Sequence, residues 1–209
     1  MQKNTTVLDI GGQLNQLEKF CEAQKVTVAN LKGSEEASDI KINKGSLPFK
    51  NNLFSITCAI DVLEHTPKKQ RKEFIEELFR VCNKRAILSF PIGTENHINY
   101  EKQIEKYLKN KDHDVSYLKE HIDLGLPTTE EIKKYLRDYK YKLLFSGNLK
   151  INEILFKIFI FDPKIPILRR IIFLSKLTFN FLTNPLLYAI LSNKSYSQNV
   201  VRAYLVIEK

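Results

Sequence analysis

Val7-Leu8-Asp9-Ile10-Gly11-Gly12, residues 7–12, is the stretch from which the rest of the chain is read. Four residues suited to a buried strand carry an acid near their end, and two glycines open the turn that follows. Glycine reaches backbone angles that other residues resist, so such a turn lets a ligand approach N–H groups at the start of the next element. A nicotinamide-binding turn would read GxGxxG. Gly11-Gly12-Gln13-Leu14-Asn15 does not match that pattern.

Outward from this stretch, short apolar runs alternate with helical patterns, the signature of an α/β domain with a mainly parallel sheet. Strands are predicted over Thr6–Ile10, Lys25–Asn30, Asp39–Asn43, Leu53–Ile60, Arg85–Phe90, Tyr141–Ser146 and Val200–Glu208. Helices are predicted over Leu14–Ala23, Thr66–Arg80 and Thr128–Asp138. In the second, Thr66 is the expected cap, Pro67 fits the first turn, and Phe74, Leu78 and Val81 share one face. In the third, Thr128 and Glu131 have capping-box spacing. Only eight residues separate Asn30 from Asp39, too few for a full crossover helix.

The chain has 209 residues, enough for one domain. We expect a single domain over 1–209 with a basic, hydrophobic helical insertion at 149–198. Residues 163–207 contain no Asp or Glu, but they include Lys164, Arg169, Arg170, Lys176, Lys194 and Arg202 among many Ile, Leu and Phe. On a helix over 167–183, Arg169, Lys176, Asn180 and Thr183 share one face; Ile167, Ile171, Leu174 and Phe181 share another. This pattern suits an amphipathic helix lying on an anionic membrane through 164–192, or covering a lipid-linked substrate. It also suits an ordinary helical cap packed on the sheet or on a second copy in a homodimer.

The formal charge of +9 favours anionic partners. No RNA-recognition or helix-turn-helix signature is present, so no specific nucleic-acid partner is assigned. Cys21, Cys58 and Cys82 lack disulfide or zinc spacing and read as reduced, buried thiols of a cytoplasmic protein. Residues 1–6 are polar and no leader is expected. No uninterrupted apolar stretch is long enough to span a bilayer, which leaves peripheral contact with the inner membrane surface.

A second motif makes the reading specific. Leu47-Pro48-Phe49, then Asn52-Leu53-Phe54, then Asp61-Val62-Leu63-Glu64-His65-Thr66-Pro67, then Arg85-Ala86-Ile87-Leu88-Ser89-Phe90-Pro91 follow the opening stretch in order. Together they resemble a class I S-adenosylmethionine-dependent methyltransferase of the methyltransferase-11 type, a family with bacterial members of uncharacterised specificity. The resemblance covers roughly residues 5–147 and the closing strand. It implies a Rossmann-like sheet, mostly parallel with its last strand antiparallel and a helical insertion before that strand. It implies S-adenosyl-L-methionine as cofactor and methyl transfer to a small-molecule, glycan or lipid-linked acceptor.

In that family the first-strand acid and glycine loop hold the methionine part of the cofactor, which carries over to Asp9, Gly11 and Gly12. The position that takes the ribose hydroxyls is Asn30. The position that takes the adenine amino group is Asn43, with Ser46 and Leu47 beside it. Ile60 and Asp61 would line the methyl-transfer site. Gln13 and Asn15 stand where the family has glycines, and Asn30 and Asn43 where it has acids. These four departures support an alternative, a catalytically degenerate binding module on the same fold.

Methyl transfer to a hydroxyl or a protonated amine needs a base. His65, just after the fourth strand, and His121 are the candidates, with Asp61 beside the first. Asp61, Glu64 and His65 also resemble the metal motif of certain divalent-metal-dependent O-methyltransferases. The same letters occur in metal-free relatives, and no metal ligand is assigned. His97 and His113 fall in polar connecting segments and read as solvated. The loop from Pro91 to Asn96, with Tyr100 and the His121 region, is expected to face the acceptor.

Overall fold

The computed structural model describes residues 5–43, 45–111, 113–161 and 163–209. The polar residues 1–4, on which the leader expectation partly rests, lie outside them. Seven strands form one sheet: β1 (Thr6–Ile10), β2 (Lys25–Leu31), β3 (Ile40–Ile42), β4 (Phe54–Ile60), β5 (Cys82–Pro91), β6 (Lys140–Ser146) and β7 (Arg202–Glu208). Their spatial order is β3-β2-β1-β4-β5-β7-β6. The neighbours among β1 to β5 pair in parallel, and β7 runs antiparallel to both β5 and β6. This is the doubly wound arrangement expected from the sequence. Its strand order reverses between β1 and β4, which opens a crevice beyond their carboxyl ends.

Helix α1 (Arg71–Val81) crosses from β4 to β5 and buries Ile75, Leu78 and Val81 on one face of the sheet. Helix α4 (Thr129–Tyr135) joins it there through Ile132, with Leu136 just beyond its end, against Leu8, Leu88, Phe90 and Leu205. The opposite face is thinner. Val7, Val28, Ile56 and Cys58 pack mainly with Leu17, Cys21 and Ala23. Cys21 is half-buried, not buried as expected; Cys58 and Cys82 are buried, and all three are free thiols.

The predicted helix over Leu14–Ala23 is reduced to a single 3-10 turn at Leu17–Lys19. Asn15 adopts a left-handed φ of 60°, which interrupts an α-helix, and Phe20 is 84% exposed, so no apolar face is buried to support one. The helix predicted from Thr66 begins later, at Arg71. Thr66 is extended, because a residue before proline resists the helical region, and Pro67 is extended as well. Thr66 does not cap α1; its hydroxyl donates to Val62 O at 3.1 Å.

Two helices have no counterpart among those predicted from the sequence: α2 (Glu95–Lys109) and α3 (Ser116–Leu124). Thr94 caps α2, its hydroxyl accepting from His97 N. Helix α5 (Leu149–Ile160) leans on this pair through Phe156 and Ile160. Helix α6 (Pro166–Leu191) follows and has no buried residue. Both lie between β6 and β7, whose antiparallel pairing sets Ser146 opposite Arg202.

Candidate functional site

Above the crevice lies a cavity of about 410 Å³. Gly11, Asn30, Asn43, Leu47, Asp61 and His65 line it, together with Val62, Phe74 and others. Of the residues assigned from sequence, Asp9, Gly12, Ser46, Ile60 and His121 do not line it. Each has a physical reason.

Asp9 is buried beneath the glycine turn, where Cys58 Sγ donates to its Oδ1 at 3.3 Å. Burial raises its pKa, and the thiol hydrogen bond opposes that only in part. Gly12 covers this carboxylate so closely that an added Cβ would lie 1.9 Å from Asp9 Oδ2. The second glycine is therefore required by its own neighbour. Gly11 has φ of 79°, and Val62 leans on it from above. Asn15, where the family pattern has a glycine, takes the left-handed angle that a glycine would supply.

Asn30 is buried at the end of β2 and donates from Nδ2 to Gly12 O at 3.0 Å. The amide thus ties the second strand to the turn. A carboxylate, which only accepts, would leave that carbonyl without this donor. Asn43 is exposed at the cavity mouth.

Ser46 and Leu47 are organised by two residues that the sequence reading missed, Glu77 and Arg80. Ser46 Oγ and Leu47 N both donate to Glu77 Oε2, at 3.1 and 2.7 Å. Arg80 donates to Leu47 O at 3.0 Å and Phe49 O at 2.8 Å, and pairs with Glu77 at 2.6 Å. The hydrogen bond from Arg80 holds the Glu77 carboxyl down at about 2, well below the usual range. Ser46 therefore points to α1 and away from the cavity, while Leu47 is fixed as part of its wall.

Ile60 is 46% exposed at the tip of β4. Asp61 has a left-handed φ of 55° and pairs with Arg202 at 2.5 Å. Its carboxylate is thus occupied by the first residue of β7, which also donates to Ser89 Oγ at 3.0 Å.

The two candidate histidines are brought together from elements far apart in the chain. His65 Nε2 and His121 Nε2 are 3.4 Å apart. His65 Nδ1 lies 2.8 Å from Glu120 Oε2, and His121 Nδ1 lies 3.0 Å from Glu101 Oε1. Burial lowers the His121 pKa, but the Glu101 hydrogen bond and the charges of Glu101, Glu64 and Glu120 outweigh it, and the net shift is upward. Glu64 is 1% exposed, and burial pushes its carboxyl up to about 7.

His97 is not solvated, as its polar surroundings in sequence suggested. It is buried in the first turn of α2, with Nδ1 2.9 Å from Ile92 O, and burial lowers its pKa. His113 is exposed as expected. The signal for α2 was present in the spacing of His97, Glu101, Ile104 and Leu108, all buried on one helical face. The polarity of His97 and Glu101 concealed it. The Pro91–Asn96 segment is consequently a short link into a helix, with Pro91 still in β5 and Thr94 the cap. Its residues do not line the cavity; Tyr100 lines a separate, shallower surface depression.

Arg71 is a further residue without a sequence signal. It is fully buried, donates to Thr66 O at 3.0 Å and to both Glu131 oxygens at 3.4 Å, and reaches the carbonyls of Leu124 and Gly125. It fastens the His65 segment to the end of α3 and the start of α4. Thr128 caps α4 through Glu131 N as predicted, but the Glu131 carboxylate turns to Arg71 and to Tyr135 OH instead of closing the box.

No family model matches the sequence, and no curated protein matches it significantly. Solved structures do. Phosphoethanolamine N-methyltransferase 2 of Haemonchus contortus, in complex with phosphomonomethylethanolamine and S-adenosylhomocysteine, is 13% identical with a TM-score of 0.57; the match covers 100% of this chain and 50% of that one. The YcgJ protein of Bacillus subtilis is 14% identical with a TM-score of 0.52, over 99% and 93% of the two chains. A SAM-dependent methyltransferase of Methanosarcina mazei is 15% identical with a TM-score of 0.50, over 100% and 94%. The chain thus has the Rossmann-like fold of S-adenosylmethionine-dependent methyltransferases.

Proposed function

We propose that this protein is an S-adenosylmethionine-dependent methyltransferase. The observation that carries the reading is the open cavity at the switch point of the sheet, with the glycine turn at one end and His65 on its wall. Its volume suits a ligand of nucleoside size. Gly11 and the turn above Asp9 would hold the methionine part. Asn30 would offer its carboxamide oxygen to the ribose, and Asn43 and Leu47 would border the adenine. The cofactor, when bound, supplies a methyl group made electrophilic by its sulfonium sulfur. The protein then has to orient the acceptor and help it lose a proton. The Glu64–His65–His121 cluster is where we assign that task, with Glu120 and Glu101 as positioning residues for the two rings.

Thermal unfolding with S-adenosylmethionine, S-adenosylhomocysteine and NAD tests this. A ligand at about 100 times its Kd adds about 2.7 kcal/mol. A shift with the first two and none with NAD is expected. No shift with any at millimolar concentration would favour the binding module, a reading to which the occupied Leu47 N–H and Asp61 carboxylate lend support. His65→Ala is expected to lower turnover while leaving the cofactor-induced shift in place.

We further propose that the acceptor, a small polar, glycan or lipid-linked molecule, is met at an anionic bilayer surface on which α6 rests. Helix α6 is amphipathic in an inverted sense. Ile172, Lys176, Asn180, Thr183 and Leu187 are half-buried at helical spacing, and Lys176 Nζ reaches Phe159 O at the end of α5 at 2.6 Å. The stripe that carries the polar residues is therefore turned inward, and Ile167, Phe173, Phe181 and Leu182 are 63–81% exposed. Lys164 and Arg170 add exposed positive charge near the helix start. No helix among the described residues is long and apolar enough to cross a membrane. Co-sedimentation with phosphatidylserine vesicles is expected, and Phe173→Ser with Phe181→Ser should abolish it. Concentration-dependent dimers without vesicle binding would assign the same face to a second copy.

A further inference from the structure

Three acceptor atoms converge where β4 hands over to α1 and the end of α3 meets it. Glu64 Oε2 is buried and has no hydrogen-bond partner among the described residues. An ionised carboxylate only accepts, so Glu120 and Glu101 require a hydrogen on the Nδ1 that faces each of them. With both rings neutral, each Nε2 then presents a lone pair, and the two face each other at 3.4 Å. A proton shared between the two rings would still leave the buried Glu64 Oε2 without a partner, whereas one cation can reach all three atoms, which lie within 4.8 Å of one another.

We propose that Glu64 Oε2, His65 Nε2 and His121 Nε2 bind a divalent transition-metal cation. Two ligands about 2.1 Å from one ion at a tetrahedral angle are roughly 3.4 Å apart, which is the separation of the two imidazole nitrogens. A carboxylate behind each ring is the usual device that fixes a metal-binding histidine in the correct tautomer. Glu101 and Glu120 supply it here, from α2 and α3. The donor set of two imidazoles and one carboxylate suits zinc, cobalt or manganese better than magnesium or calcium, which prefer oxygen. Asp61 is left out of the set, because Arg202 holds it. His65 is the least buried of the three and lines the large cavity, so the open side of the ion would face that space.

The site does not depend on the cofactor reading, and its test is run without cofactor. The whole chain is stripped with EDTA, dialysed and titrated with cobalt(II). Calorimetry is expected to give one equivalent, with visible bands of a low-coordinate cobalt ion and a raised melting temperature. Magnesium at the same concentration is expected to do none of this. His65→Ala, at a half-exposed position, should remain folded by circular dichroism and lose at least 100-fold in affinity. Glu120→Gln should lose 10- to 100-fold. No stoichiometric binding, binding undiminished in His65→Ala, or equal binding of magnesium would each overturn the proposal. In any of those cases, a melting shift with S-adenosylmethionine in EDTA would still report on the methyltransferase reading by itself.

Discussion

Helix α1 and helix α6 show opposite ways of stabilising a helix. The first has 11 residues and buries Arg71, Ile75, Leu78 and Val81. The second has 26 and buries none, although its composition is more apolar. Apolar content therefore does not decide burial; position relative to the sheet does. α1 lies directly against β4 and β5, and its polar residues reach back to hold the cavity wall. α6 hangs beyond the sheet edge and meets the rest of the chain chiefly through a half-buried stripe that includes Lys176, Asn180 and Thr183. Its apolar residues, Ile167, Phe173, Phe181 and Leu182 among them, remain exposed.

The contrast can be broken most sharply at Arg71. Replacing it with Met removes the buried partner of Glu131 and leaves only the exposed Lys68, 4.0 Å away, opposite its charge. Urea unfolding should show a loss of about 3–5 kcal/mol, far above any single change on α6. Next in size is Gly12→Ala, which drives a methyl group into the Asp9 carboxylate. A loss of about 1–3 kcal/mol is expected by the same measurement, together with loss of any cofactor-induced shift.

Smaller again is the contribution of Glu77. Its folded pKa is about 2, below the ordinary carboxylate value of 4.5, so the stability it adds is present above 4.5. That stability falls away as pH drops from 4.5 towards 2. Wild type should exceed Glu77→Gln by about 1 kcal/mol at pH 7 once solvent screening is allowed for, with the gap closing near pH 2. The smallest effect belongs to α6. The Phe173→Ser and Phe181→Ser pair should alter unfolding free energy by no more than about 0.5 kcal/mol while removing vesicle binding. A large loss of stability there would mean that α6 is part of the core after all.

The strands were legible because β1, β4 and the second half of β5 are buried on both faces and are dense in apolar and β-branched residues. The helix over 14–23 was over-read, since periodicity alone does not reveal that no partner surface exists for it. Helices α2 and α3 were under-read because their buried face includes His97, Glu101 and His121, which count as polar until the network among them is seen. The pairing of His65 with His121 depends on that same face and on the fastening by Arg71, so neither was visible from spacing along the chain. The glycine turn after β1 was legible from the pattern, and of its residues Gly11 lines the cavity while Asp9 and Gly12 do not. What the pattern could not convey is that Asn15 and Asn30 keep the turn's geometry by other means, one through a left-handed backbone and the other through a bond to Gly12 O.

The antiparallel pairing of β6 with β7 has a consequence for how this architecture can vary. Residues 147–201 depart from Ser146 and come back to its partner Arg202, so to the sheet they are one oversized hairpin turn. Closing a loop roughly ten times longer than a tight turn costs only about 2 kcal/mol more. Such an appendage can be lengthened, trimmed or exchanged with little penalty to the sheet, so the surface it presents can drift separately from the crevice between β1 and β4.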